Sequence, residues 1–492
     1  MTVLGVAVAF VLLLWCSLLY VPYRWRPAGI YLIAGKLLAV AYVPFIAVAG
    51  IALAVVGAVF GSWWIAVPAG VAAVGALAVV VRVGSVRADL SGALCPGWND
   101  RIPPQRRSRM VRRWWTGRLP ASPQPRLRRD VAFATVPGSG RAVLCDVWQP
   151  PAAVAPSGVA VVFLHGSAYY VLDKDLATRP LFGHLAAQGH VVVDVAYRLF
   201  PETDVPGMVA DAKRAVAWVH GHAGELGIDA DRIVLAGGSS GGHLALLTAY
   251  GHDEPVLTPL ELAGSDLRVC AVVSLYGQVG LDDMYWHTGQ DKTCHPDDPQ
   301  PDWTAPPSRM LVRLFGENAA RLRLQFMKYG GRSSWLTGGV PDDMPERYAQ
   351  VCALSYVSRD NPPTLLMHGT HDEMAPVAAV RRLQQRLEQA GAPVSAMYLP
   401  HTDHMFDLVG TRWSPAARLT LHTLERFLAA VSVTEQRRPE ADSGPAGPPA
   451  HQHGSTVRQS GDGLHRVPSL DGRSGSVGQF GGDRTSRLRR VR

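Results

Sequence analysis

Charge is almost missing from the first 81 residues of this 492-residue chain, where Arg24, Arg26 and Lys36 are the only charged side chains. A stretch of that length has no solvated face, which excludes an ordinary surface-exposed domain there. Cysteine is scarce: six residues, Cys16, Cys95, Cys145, Cys270, Cys294 and Cys352, with no C-x-x-C spacing. That pattern excludes both a zinc-site reading and a disulfide framework, and leaves buried free thiols as the expectation. The first apolar run has no basic start. It is followed by Pro22-Tyr23-Arg24-Trp25-Arg26 rather than a small-residue cleavage site, which argues against a signal peptide. The net charge of +8 and pI near 9.3 could suggest nucleic acid. The arginines, however, gather in a belt over residues 82–129 beside apolar segments, a distribution that reads as membrane-proximal.

What is present at the N-terminus is three uncharged apolar runs, residues 3–21, 37–60 and 63–81. Each approaches the roughly 20 residues a spanning helix needs. The glycines and alanines of the second and third runs suit close helix–helix contact. Residues 1–84 are therefore expected to be a three-helix transmembrane anchor and residues 85–129 a basic juxtamembrane linker, with the lipid bilayer as partner. The first loop carries Arg24, Arg26 and Lys36. The segment after the third run carries Arg82, Arg87, Arg101, Arg106, Arg107, Arg109, Arg112 and Arg113. Since positive loops stay inside, the expectation is a multi-pass protein of the cell membrane, its N-terminus outside and the rest of the chain cytoplasmic.

From residue 130 the pattern changes to alternating β and α signals. Residues 131–136 and 143–148 flank Pro137-Gly138-Ser139-Gly140 and read as a hairpin. Short apolar runs at 159–164, 191–196, 233–236, 269–275 and 364–367, with 394–399 last, have the character of buried parallel strands. Helical periodicity lies at 209–220, 377–390 and 416–430. The order predicts an α/β domain over 130–432, a mostly parallel sheet with helices on both faces. An insertion over about 281–347, rich in Met, Trp and Phe, interrupts the alternation and reads as a lid. Its helical part over 308–329 mixes apolar residues with arginines and could touch a membrane surface. Residues 433–492 are Gly-, Ser-, Pro- and Arg-rich and read as a disordered tail.

The chemistry is expected at Ile233-Val234-Leu235-Ala236, which runs into Gly237-Gly238-Ser239-Ser240-Gly241-Gly242 and a helical stretch. A strand breaking over glycines into a helix with serine at the break is the pattern of a nucleophile elbow. Two frames fit, with Ser239 or with Ser240 as nucleophile. The first is favoured because it leaves Gly242, rather than the bulky His243, where helix must pack on strand. A nucleophilic serine needs a base, an orienting carboxylate and oxyanion donors. The loop after 364–367 offers Asp372, with Glu373 second. The loop after 394–399 offers His404, deeper in the loop than His401. The cluster His401-x-Asp403-His404 has no third ligand at metal spacing, so no metal or cofactor is expected. The backbone amides of Gly166, Ser167 and Ser240 are the expected oxyanion donors.

Four blocks taken together resemble the α/β-hydrolase superfamily, in particular its hormone-sensitive-lipase-like and carboxylesterase-type bacterial esterases. His165-Gly166-Ser167-Ala168 resembles the H-G-G-G oxyanion loop. Ala196-Tyr197-Arg198-Leu199-Phe200-Pro201-Glu202 resembles the D-Y-R-L-x-P-E block. Residues 236–245 resemble the G-x-S-A-G-G-x-L-A elbow, which sets the frame on Ser239. Residues 363–376 with His404-Met405-Phe406 resemble the acid and histidine loops. The oxyanion loop departs from the pattern in carrying Ser167 and Ala168 where two glycines stand. The resemblance implies an α/β-hydrolase fold, a Ser239–His404–Asp372 triad, an acyl-enzyme and a small ester substrate, lipophilic if the anchor and insertion bear on it. An amide or formamide hydrolase of the arylformamidase kind would use the same machinery. A non-catalytic binding protein on this fold is the alternative from another class.

Overall fold

The computed structural model describes residues 2–20, 29–112, 119–120, 122–175, 177–288, 309 and 332–433. The stretch 308–329 expected to be helical, apart from residue 309, and the tail from residue 434 lie outside the described residues.

Eight strands form one sheet: β1 (Arg126–Thr135), β2 (Ala142–Gln149), β3 (Ala160–Leu164), β4 (Val191–Ala196), β5 (Ile233–Gly238), β6 (Ala271–Leu275), β7 (Thr364–Gly369) and β8 (Val394–Leu399), in the order β1-β2-β4-β3-β5-β6-β7-β8. The β1–β2 and β2–β4 pairings are antiparallel; every later pairing is parallel. The apolar runs become strands buried on both faces because each residue parity has its own core. In β3, Val162 and Leu164 join one cluster, and Val161 and Phe163 the other. Each parallel crossover carries a helix, as right-handed connections require.

The N-terminal runs fold as α1 (Thr2–Ser17), α2 (Gly29–Ala41), α3 (Val43–Val59) and α4 (Trp63–Ser85). The second run is not one straight helix: it breaks at Tyr42, bending by 78° between α2 and α3. Pro44 stands in the first turn of α3, and a proline disfavours helical backbone in the residue before it, Val43, and removes a donor to the preceding turn. Among the described residues α4 alone is long and apolar enough to cross a membrane as a single helix. The bent α2–α3 pair is a second candidate only if taken as one span, and α1 is shorter. Helices α3 and α4 pack closely: a Cβ at Gly50 would lie 2.8 Å from the Ala69 carbonyl. Their outer surface is apolar and bare, including Val48, Ile51, Val55 and Val59 of α3 and Trp63, Trp64, Val67 and Val71 of α4. Of the described large apolar side chains that are exposed, only Val256, Leu260 and Trp286 lie beyond residue 81.

Residues 88–112, expected to be linker, are packed onto the sheet domain. Ala93 N donates to Ser395 Oγ at 2.9 Å, and Gln188 Nε2 donates to the Arg109 carbonyl at 2.7 Å. Three helices flank the site-bearing strands. α5 (Ser240–Tyr250) is buried along its whole length behind β5. α6 (Val377–Ala390) buries Ala379, Val380, Leu383 and Leu387, a one-sided stripe, and stops at Gly391 in the left-handed region. α7 (Pro415–Val431) starts on Ser414, whose Oγ caps Ala417 N, with Pro415 in the first turn.

Candidate active site

β3, β5, β7 and β8 all deliver a loop at the C-terminal edge of the parallel sheet, where such folds place their sites. β5 ends in the elbow. Ser239 adopts φ 56° and ψ −126°, a strained conformation for a residue with a Cβ, and its N–H is held by the Leu275 carbonyl at 2.9 Å. The turn needs Gly241, since a Cβ there would overlap the backbone carbonyls of Leu164 and His165.

The elbow serine, the Asp372 loop after β7 and the His404 loop after β8 meet. Ser239 Oγ lies 2.8 Å from His404 Nε2, and His404 Nδ1 lies 2.8 Å from Asp372 Oδ2. Because the carboxylate can only accept, Nδ1 carries the proton and Nε2 is left to accept from the serine. Asp372 Oδ1 accepts from Met374 N and Ala375 N at 2.9 and 2.8 Å. All three residues are buried, with Ser239 retaining 6% exposure. Burial alone would lower the imidazole and raise the carboxyl. The mutual charge and hydrogen bond of the pair outweigh it, so His404 stands above its ordinary pKa and Asp372 below. His368 packs behind Asp372, donating from Nε2 to the Ala375 carbonyl at 2.8 Å, and burial holds it below the usual histidine value.

His401 is drawn elsewhere: its Nε2 accepts from Arg82 Nη1 at 2.8 Å, and Nδ1 donates to the Leu19 carbonyl at 3.2 Å. Of the acid candidates, Asp372 is the one whose carboxylate sits on His404 Nδ1; the backbone N–H of Glu373 donates to Asp403 Oδ1 at 3.1 Å.

The expected oxyanion donors do not all stand free. Ser167 N donates to Ser240 Oγ at 2.8 Å, so the Ser167 amide is committed inside the protein and is not available to a substrate oxygen. The cause is a buried hydroxyl chain. Tyr197 Oη must donate to the His165 carbonyl at 2.7 Å, so it accepts from Ser167 Oγ at 2.8 Å. Ser167 Oγ in turn accepts from Tyr169 N at 2.9 Å and Ser240 Oγ at 3.0 Å. Among the described residues the amides of Gly166 and Ser240 have no acceptor, and neither does that of Ala168, which sequence reasoning passed over. Ala168 sits at a φ of 46°, left-handed backbone that no side-chain pattern announces. Gly166 lies against Ser239: a Cβ on it would be 3.3 Å from Ser239 Cβ.

Two further supports escaped the sequence. Tyr276, at φ 40°, sets its ring 4.8 Å from that of His404 and donates to Asp407 Oδ1 at 2.6 Å. Asp403, next to His404, accepts from His404 N at 2.7 Å. From the insertion, Trp335 and the Arg332 carbonyl close over Tyr170 of the oxyanion loop.

A family model described as BD-FAE matches residues 145–305, and one described as the prolyl oligopeptidase family matches residues 324–430. The probable carboxylic ester hydrolase LipM of Mycobacterium tuberculosis is 32% identical over 309 residues, covering 62% of this chain and 62% of that protein. Esterase LipQ of the same organism is 28% identical over 354 residues, covering 70% of this chain and 74% of that one. Among solved structures, native esterase 2 of Thermogutta terrifontis aligns with a TM-score of 0.45 at 22% identity, over 66% of this chain and 97% of that one. The chain thus spans somewhat under two thirds of the length of LipM. With its sheet order and its elbow at the end of β5, the chain has the α/β-hydrolase fold, and in sequence it is similar to the carboxylic ester hydrolases of that superfamily.

Proposed function

We propose that the chain is a membrane-anchored serine hydrolase that cleaves carboxylic esters of lipophilic, small-molecule substrates. The observation that carries this reading is the unbroken line Ser239 Oγ–His404 Nε2, His404 Nδ1–Asp372 Oδ2, both links at 2.8 Å, with the serine on a strained elbow. Ser239 Oγ attacks the ester carbonyl as His404 Nε2 takes its proton. Asp372 holds the imidazole in the required tautomer and stabilises its charged form. The developing oxyanion is received by the amides of Ser240, Gly166 and Ala168, the last taking the part that Ser167 gives to Ser240 Oγ. The alkoxide leaving group takes the proton back from His404. Water, deprotonated by the same histidine, then releases the acid and restores Ser239.

In the same reading α4 crosses the bilayer and the shorter α1 and α3 cross beside it, a reading supported by their bare apolar outer surfaces. Arg24 and Arg26 in the first loop and the arginines after α4 favour a cytoplasmic catalytic domain. Lys36 drops out of that charge count, because it is buried in an ion pair with Asp403. A lipophilic substrate fits a site whose histidine loop rests on the ends of the apolar helices.

The test is hydrolysis by the full chain in detergent of p-nitrophenyl esters of rising acyl length, with Ser239→Ala as control. Turnover that rises with acyl length and vanishes in the variant is expected. Preference for short esters would remove the lipophilic substrate, and activity surviving in Ser239→Ala would remove the mechanism.

A further inference from the structure

Lys36 is the one charged residue of α2, and it is fully buried. A lysine is almost never buried without a partner, because its desolvation must be offset by an opposite charge. The partner is Asp403, itself 2% exposed: Lys36 Nζ lies 3.0 Å from Asp403 Oδ2 and 3.4 Å from the His371 carbonyl. The other oxygen of that carboxylate, Oδ1, accepts from the N–H of His404 at 2.7 Å and from the N–H of Glu373 at 3.1 Å. A single side chain thus grips both loops that carry the base and the orienting acid, and among the described residues its lysine or arginine partner comes from the N-terminal helices. The neighbouring contacts run the same way. His401 is held by Arg82 at the end of α4 and by the Leu19 carbonyl just past α1, and Trp413 packs edge-on to Phe45 of α3 with centroids 5.3 Å apart.

We propose that Lys36 is a positioning residue for the triad, acting through Asp403 so that the N-terminal helical segment completes the active site rather than merely tethering it. This rests on the reading of Ser239, His404 and Asp372 as a catalytic triad. With Lys36 in place, Asp403 has its counter-charge, accepts two backbone N–H groups at once, and fixes the distance between the loops. Without it, the buried carboxylate loses that partner and swings toward water, releasing the N–H groups of His404 and Glu373. That change moves the imidazole relative to Ser239, and displacements on the order of 1 Å are worth about 100-fold in rate. Substrate binding, which involves other groups, is affected much less.

The experiment uses the full chain in detergent micelles and p-nitrophenyl butyrate, a soluble ester whose delivery does not depend on a bilayer. Wild type, Lys36→Met, Lys36→Arg, Asp403→Asn and the double variant Lys36→Met/Asp403→Asn are compared by kcat, KM and thermal midpoint. Asn at 403 keeps an oxygen for the two N–H groups and carries no charge, so it no longer needs Lys36. The expected result is that Lys36→Met loses at least about tenfold in kcat with KM changed by less than about twofold. Lys36→Arg retains more of the rate than Lys36→Met, and the double variant recovers to near the level of Asp403→Asn alone. Two results overturn the inference: Lys36→Met at wild-type kcat, or a double variant as slow as Lys36→Met, because the pairing with Asp403 would then not be the cause. Should Lys36→Met fail to fold, recovery or its absence in the double variant still decides. A wild-type chain that turns over no ester and takes no fluorophosphonate overturns the triad reading, and this inference with it.

Discussion

Replacing Ser240 by alanine separates the two serines of the elbow by their physics. Ser240 is fully buried, and its Oγ is the acceptor for Ser167 N at 2.8 Å. Alanine leaves that buried amide without a partner, at about 1–3 kcal/mol. Ser167 Oγ loses one contact but keeps Tyr169 N and Tyr197 Oη, so little is added. The sum is roughly 2 kcal/mol, about a 30-fold drop in the folding constant. The Ser240 amide survives the substitution, so Ser239 Oγ, the proposed nucleophile, and the amide proposed to receive the oxyanion both remain. Ser239→Ala instead deletes the reacting oxygen and leaves the Ser167 network whole. Labelling by a fluorophosphonate probe and thermal unfolding in detergent read the two effects on the same samples. Ser240→Ala should label and unfold earlier; Ser239→Ala should not label and should unfold near the wild-type midpoint. An unchanged midpoint in Ser240→Ala would refute the assigned network, and labelling lost there but kept in Ser239→Ala would make Ser240 the nucleophile.

Asp372→Asn should lower kcat by about 10⁴-fold with the fold intact, since the amide favours the wrong imidazole tautomer; steady-state kinetics with circular dichroism checks both. The base must be neutral to work, and His404 is held above 6.5 by Asp372, so the acid limb of kcat/KM against pH should fall above pH 6.5. A limb below 6.5 would contradict the pairing. Between α7 and the residues before β1, buried Glu425 accepts from Val111 N at 2.8 Å and pairs with His184. Burial pushes Glu425 up to about 8 and His184 down to about 4, so near neutral pH the acid holds the proton. Between about pH 4.5 and 6.5 the unfolded histidine holds the proton that the unfolded acid gives up, and the two effects cancel; from about 6.5 to 8 the folded chain keeps a proton there that the unfolded chain releases, so stability is lost as pH rises through that window, by about 1.4 kcal/mol per unit. Glu425→Gln removes this slope, and denaturation at pH 7 and pH 8 should show wild type losing about 1 kcal/mol more than the variant.

Much of the sheet domain is legible because its strands are short apolar runs bounded by turn residues, and β4 and β8 coincide with those runs. Ser239, Asp372 and His404 could be singled out because each follows a strand in a fixed chain order. The oxyanion loop was less legible. Whether the Ser167 amide is free depends on where Ser240 Oγ and Tyr197 Oη sit, and those groups come from α5 and from the residue just after β4. The break at Tyr42 was obscured because hydropathy continues unchanged through Pro44. Lys36 read as a loop charge because a sequence shows charge but not the partner that buries it; Asp403 lies 367 residues downstream in the numbering.

If Ser239 is the nucleophile, it is the residue that an active-site-directed reagent must modify. The full chain is treated with a fluorophosphonate, digested, and the peptide spanning residues 233–250 sequenced by tandem mass spectrometry. One adduct is expected, on Ser239, abolished when Asp372 or His404 is replaced. An adduct on Ser240, or none on a folded protein, would contradict it.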